Sequence, residues 1–420
     1  MTQRYDTYKD SGVQWLGEIP GHWEVKPIRA ILRENTDKTE TGDEELLSLS
    51  QYTGISRKKD AAKIGMFEAE STVGYKKVHP GQFVMNIMLA WNGSYAVSEF
   101  EGIISPAYCV FDFISKDEKM YYNYLWRLSM YQGAFKTKSR GIIDSRLRLY
   151  PNKFLPFPTI CPPLSEQRSI VSFLDAKCGK IDEWVTKKQK EVEHLQELKQ
   201  RVIADAVTRG LNPHVKMKAT NIPWLKEIPE HWEMRKMKYL FDERSEKNHP
   251  DEPMLSATQS EGVILQSKYQ GRVVVVNTGF EGLKLVKVGD FVIHLRSFQG
   301  GIEYAHDRGI ISSAYTILNP KYPEYSAYYK RLFKSSSFID LLKICVTGIR
   351  EGQNINYSKL KQFSIPVPPL SEQKQIVSYL DAKCAKIDKL IAHITKEIER
   401  IKEYKQRLIS DVVTGQIKVC

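Results

Sequence analysis

Three segments in each half of this 420-residue chain set arginine, glutamine and asparagine close to glycine. The first runs from Ser50 and Gln51 past Gly54 to Arg57 and Lys58, with Gln259 and Gly262 as its counterpart. The second is Trp91-Asn92-Gly93-Ser94, answered by Arg296, Gln299 and Gly300. The third holds Arg140, Arg146 and Arg148, answered by Arg350, Gln353, Asn354 and Asn356. Side chains of these types present donors and acceptors that match base edges, lysine and arginine pair with phosphates, and glycine lets a backbone come close. None of the polar sets keeps helix-face spacing, so they belong on loops. This is chemistry of recognition, and the charge balance agrees with it. Lys plus Arg number 62 against 50 Asp plus Glu, a net +12 that favours polyanionic partners, nucleic acid first.

Bond-making chemistry has no comparable support. The chain has no G-x-x-x-x-G-K-[ST] phosphate loop and no G-x-G-x-x-G cradle. Asn212-Pro213 and Asn319-Pro320 begin like an N-P-P-Tyr motif and continue differently. His22 and His231 are repeated between the halves, each in an apolar turn beside a tryptophan, where a packing role is expected. Carboxylate pairs such as Asp117-Glu118 lie in a charge-rich loop and are expected to be solvated. Six scattered cysteines without a C-x-x-C suggest neither a metal site nor a disulfide framework, and fit a reducing compartment. No apolar run approaches the ~20 residues of a membrane span, and the start lacks an apolar leader, so a cytoplasmic protein without membrane contact is expected.

The elements that position these loops come twice. Trp15-Leu-Gly-Glu-Ile-Pro-Gly-His-Trp23-Glu24 recurs as Trp224-Leu-Lys-Glu-Ile-Pro-Glu-His-Trp232-Glu233. Gly102-Ile-Ile-Ser-Pro-Ala-Tyr108 is matched by Gly309-Ile-Ile-Ser-Ser-Ala-Tyr315, and Pro162-Pro-Leu-Ser-Glu-Gln167 by Pro368-Pro-Leu-Ser-Glu-Gln373. The offset stays between 206 and 209 residues, the mark of a tandem duplication. Residues 162–185 match 368–391 at 17 of 24 positions, whereas 56–78 and 264–286 barely align. One segment is kept for a shared task while another is free to differ, as in two copies of a reader with different texts.

Within each copy, Phe291–Leu295 and Arg272–Val276 have strand composition, and residues 121–135 and 325–343 space apolar side chains as helices do. A mixed α/β (α+β) globular domain follows. Behind it, prolines hold the approach extended, and Ser165 and Glu166 suit the opening of a long helix. Leu174, Cys178, Ile181 and Val185 fall at coiled-coil spacing, as do Leu380, Cys384, Ile387 and Ile391 in the second copy. Gly210 and Pro213 close the first helix. Each helix, ~40 residues and therefore ~60 Å long, exceeds the face of one domain, so the two are expected to pair with each other, antiparallel. The domains expected are 1–160 and 213–366, with helices in 161–212 and 367–420.

Two variable domains, each ending in P-P-L-S-E-Q and a long helix, resemble the specificity (S) subunit of type I restriction–modification enzymes. Trp15 to Glu24, Pro162–Gln167 with Ile170-Val171 and Leu174-Asp175, and the same set in the second half carry the resemblance, which covers essentially the whole chain. Leu295–Gly301 and Thr347–Arg350 look typical of the target-recognition domains of this family. The resemblance implies that each domain reads one half of a bipartite, asymmetric site on double-stranded DNA. It implies that the helices set the spacing and dock two methyltransferase (M) subunits, with restriction (R) subunits joining the full complex. It also implies no active site and no cofactor on this chain, S-adenosylmethionine, ATP and Mg belonging to the partners. The three loop sets then become candidate DNA contacts, and Leu174, Ile181, Val185, Leu380, Ile387 and Ile391 candidate subunit-interface residues. The competing readings are a coiled-coil protein scaffold without a DNA role and a self-sufficient DNA methyltransferase or nuclease.

Overall fold

In a computed structural model, residues 3–51, 53–60, 71–141, 147–271, 279–347 and 354–419 are described. The strand expected over Arg272–Val276 lies outside these residues. The chain forms two compact units, Met1–Lys187 with Glu397–Cys420, and Lys188–Lys396. Two helices dominate the element order, Leu164–Arg209 and Leu370–Val413, of 46 and 44 residues. Each unit therefore owns the start of one long helix and the end of the other.

The first unit is built on a four-stranded antiparallel sheet in the order Leu32–Asn35, Tyr108–Phe113, Phe83–Asn86, Tyr95–Val97. The second unit repeats it with Phe241–Arg244, Thr316–Pro320, Phe291–Ile293 and Glu303–Tyr304. Hairpins repeat as well, Leu47–Ser50 with Gly54–Arg57 and Leu255–Thr258 with Gly262–Leu265. In the first unit Trp23, Phe83, Phe111, Trp126 and Phe154 fill the core, each fully buried. The stretches 121–135 and 325–343, expected to be helical, are each two helices: Lys119–Leu125 and Ser129–Lys138, then Ser326–Leu332 and Ser336–Ile344. The break has a local cause in the second unit, where the Ser335 side chain accepts from Phe338 N and starts a new helix. In the first, Leu128 turns extended at ψ 144°.

The repeated motifs meet at the entry of each long helix. Glu166, in the first turn, accepts from Tyr5 Oη at 2.8 Å and Trp23 Nε1 at 3.0 Å, and pairs with His22 Nε2 at 2.6 Å. Glu372 repeats this with Trp232 Nε1 at 2.9 Å and His231 Nε2 at 2.5 Å. Both tryptophans are fully buried, so their indole N–H groups need these acceptors. The packing role expected for the two histidines is thereby given a partner. Ser165 lies inside a helix that begins at Leu164, so the acidic residue beside it, held from outside, anchors the entry. Asp117 and Glu118 both have carboxylate partners within the chain: Gln167 donates to Asp117 Oδ1 at 2.9 Å, and Glu118 Oε1 accepts from Met120 N at 3.4 Å, while Gln167 Oε1 accepts from the Glu118 backbone N–H at 2.8 Å.

Within each unit the long helices run antiparallel. In the first, Ile170 and Leu174 share a core with Leu408 and Val412, and Asp182 pairs with Lys405 at 2.7 Å. In the second, Ile203 and Val207 share a core with Ile376 and Leu380, and Lys199 pairs with Asp388 at 2.7 Å. Numbers fall on one helix as they rise on the other. Gly210, at φ 75°, ends the first helix in the left-handed conformation that glycine adopts without strain. The assignment of apolar seam residues to a subunit interface is corrected by burial. Leu174 and Leu380 are fully buried, and Val185 and Ile387 are 7% and 4% exposed within this chain alone. Ile181 and Ile391 keep partial exposure. The first four hold the chain's own packing and leave nothing for a partner to grip.

Candidate nucleic-acid interface

The hairpin, the short turn after the third sheet strand and the segment behind the second small helix carry the candidate contacts. In the second unit, Gln259 is exposed at the hairpin turn, which Thr258 closes by accepting from Glu261 N at 3.0 Å and donating to Gly262 O at 3.1 Å. Gly262, at φ 78°, completes the reversal. The next loop opens after Phe291–Ile293 and contains the short helix Ser297–Gly300; Arg296, just before that helix, and Gln299, on it, are exposed. It is held from below: buried Ser297 accepts from His294 N at 2.9 Å, and His294 Nδ1 accepts from Arg296 N at 3.2 Å. Behind it lies helix Ser336–Ile344, which leads to Val346–Thr347 paired with Asn354–Ile355. Asn354 is exposed, while Asn356 spends its side-chain oxygen capping the helix that follows, accepting from Lys359 N at 3.1 Å. Arg350 and Gln353 lie outside the described residues.

The first unit repeats the arrangement with other side chains. Gln51 sits half-buried at its hairpin turn. Arg57 and Lys58 do not join it, because Arg57 pairs with Leu47 at the far end of the hairpin, ~10 Å along the strand. Arg57 stacks instead over Phe100, 5.6 Å from the ring centroid. The second loop is the turn Ala90–Asn92, with Gly93 at φ 90°. Asn92 is half-buried, but Ser94 is 1% exposed inside the turn, and its candidacy as a contact is corrected accordingly. Arg140 and Arg148 are exposed and bridge each other through reciprocal backbone bonds of 2.9 Å, and Leu149 N ties that bridge to Ile87 O at 2.9 Å. Arg140 also shares a cleft of about 420 Å³ with Lys76, Lys153 and Glu34. Arg146 lies outside the described residues. Among the described residues no three of His, Cys, Asp or Glu gather to hold a metal ion.

Composition at loops flagged the exposed tips but not their supports. Arg127 and Lys334 stand between paired short helices, outside the glycine-bearing loops, and only their bonds to the hairpin turns reveal them: Arg127 donates to Gln51 O at 3.3 Å and Lys334 to Gln259 O at 3.2 Å.

Duplicated α+β units, long helices paired within each unit and loop-borne arginine, glutamine and asparagine make up the frame. Residues 225–400 match the family model of the type I restriction modification DNA specificity domain. A Methanocaldococcus jannaschii chain assigned to the MjaX type I restriction enzyme as its specificity subunit is 26% identical over 429 residues, with 96% of each chain covered. The type I restriction enzyme MjaVIII specificity subunit of the same organism is 25% identical, with 96% of this chain and 94% of the relative covered. The fold matches a chain solved in a study of assembly and conformational transition of the type I R-M system, at TM-score 0.64 and 15% identity, covering 94% of this chain and 98% of that one. Over nearly its whole length the chain is therefore similar to specificity subunits of type I restriction enzymes, and its second half carries the match to their DNA specificity domain.

Proposed function

We propose that this chain is the non-catalytic reader of a split DNA site, one half for each unit. The observation that carries the reading is the duplicated loop frame with exchanged tips. The sheet order and hairpin repeat, while Trp91-Asn92-Gly93 stands where the second unit has Arg296, Ser297, Phe298 and Gln299. Two copies of one frame with different tips suit two different half-sites. Exposed Arg140, Arg148, Gln259, Arg296, Gln299 and Asn354, with Gln51, are the proposed contacts. The long helices set the distance between half-sites and dock two methyltransferase subunits, through which restriction subunits join. The outward faces of the helices serve this docking, since the seam is consumed within the chain. S-adenosylmethionine, ATP and Mg act on those partners, and this chain binds no cofactor of its own. It works in the cytoplasm, beside DNA; among the described residues no helix is long and apolar enough to cross a membrane.

Retention of duplex DNA by the complex with its methyltransferase tests the reading. Arg296→Ala should weaken binding by about 1–3 kcal/mol on duplexes carrying the second half-site, the worth of a bidentate base contact. Retention that is equal on every sequence, or absent, contradicts it.

A further inference from the structure

Arg127 and Lys334 occupy the same place in the two units, just past the helices Lys119–Leu125 and Ser326–Leu332. Each grasps the backbone of the turn that carries glutamine and, with the same cationic group, the neighbourhood of the second loop. In the first unit Arg127 donates to Gln51 O at 3.3 Å and to Tyr95 O at 2.7 Å, one residue past Trp91–Ser94. Gln132 donates to Arg127 O at 3.0 Å and lies over Gly93, where a Cβ would come within 2.6 Å of its amide nitrogen. In the second unit Lys334 donates to Gln259 O at 3.2 Å and to Gly300 O at 2.9 Å. The Gln259 side chain in turn lies against Gly300, where a Cβ would come within 2.6 Å of Cδ.

The two clamps differ in chemistry. Lys334 is neutralised by Glu303, 2.5 Å away and fully buried. Glu303 faces Val292 on the sheet, and in the first unit Ala96, facing Val84, holds that place. Arg127 has carbonyl partners instead of a carboxylate, and its planar fork suits two carbonyls at once. The same contact made by a different cation in each copy points to the contact, not the residue, as the feature retained.

We propose that Arg127 and Lys334 are positioning residues that fix the glutamine turn against the second loop and thereby set half-site specificity in their own unit. The proposal rests on the DNA reading above. A clamp on backbone carbonyls fixes where the tips stand without dictating what they are, which lets the tips change text while the frame stays. Contacts held by a rigid support discriminate more sharply than contacts on a loose loop.

The test uses the full chain with its methyltransferase, on duplexes bearing the motif that the wild type methylates and each single-base variant of it. Arg127→Met removes the fork without stranding a carboxylate; Lys334→Met is combined with Glu303→Gln so that no charge is left buried alone. Arg127→Met should cut discrimination about tenfold in the half read by the first unit, leave the other half unchanged, and speed amide exchange in residues 47–57. Arg127→Lys should restore part of it. The second-unit pair should do the same to the other half and to residues 255–265. Unchanged discrimination in both halves overturns the proposal, as does equal loss in both halves with faster exchange throughout, which is general loosening. A wild-type complex that methylates no motif overturns it through the DNA reading, and a local exchange response in the variants identifies that reading, not the clamp, as what failed.

Discussion

Glu166 gathers three donors on one carboxylate, and its titration follows from them. Burial alone raises a carboxyl, but the Trp23, His22 and Tyr5 bonds outweigh it and hold Glu166 below the ordinary glutamate value. A carboxylate depressed on folding stabilises the native state above its unfolded value and loses that contribution as pH falls through the folded one. Glu166→Ala should therefore cost about 1–3 kcal/mol at neutral pH, because Trp23 Nε1 is left buried without an acceptor. Below about pH 4 the gap between variant and wild type should narrow. Urea midpoints across pH measure both, and a gap independent of pH would contradict the assignment. At this scale the sequence shows which residues repeat but not which meet. Trp23 and Glu166 are 143 positions apart, and their equal recurrence was legible while their bond was not. Loop composition likewise marks Asn92 and Ser94 together, yet packing turns one partly outward and the other in.

At the scale of elements, the long helices were legible because a strict three-and-four spacing of apolar residues has few other uses. Their ends were legible too, since Gly210 marks the stop of the first. The break inside each helical stretch is not legible, because the apolar spacing runs through it and a serine cap such as Ser335 looks like any other serine. That the seam is internal follows from burial. Ile387→Asp should place a charge where the wild-type side chain is 4% exposed, and should lower the melting temperature of the chain and its yield as a complex with the methyltransferase. Unchanged melting and assembly would show that the seam lies elsewhere. By contrast the Lys405–Asp182 pair is partly solvated, and breaking it should cost no more than about 1 kcal/mol.

For the molecule as a whole, the duplication is the most legible feature, and it carries the central claim that one chain holds two independent readers. The recognised bases are not legible, because they depend on where a few loop side chains stand against a duplex, and chain order does not convey that. Methylome sequencing of cells that express this chain with its methyltransferase tests the claim most directly, when repeated after residues 1–160 are replaced by the corresponding domain of a relative. The account predicts one split methylated motif, of which the replacement changes one half and leaves the other intact. Methylation of no new motif beside an active methyltransferase, or a replacement that alters both halves together, would contradict it.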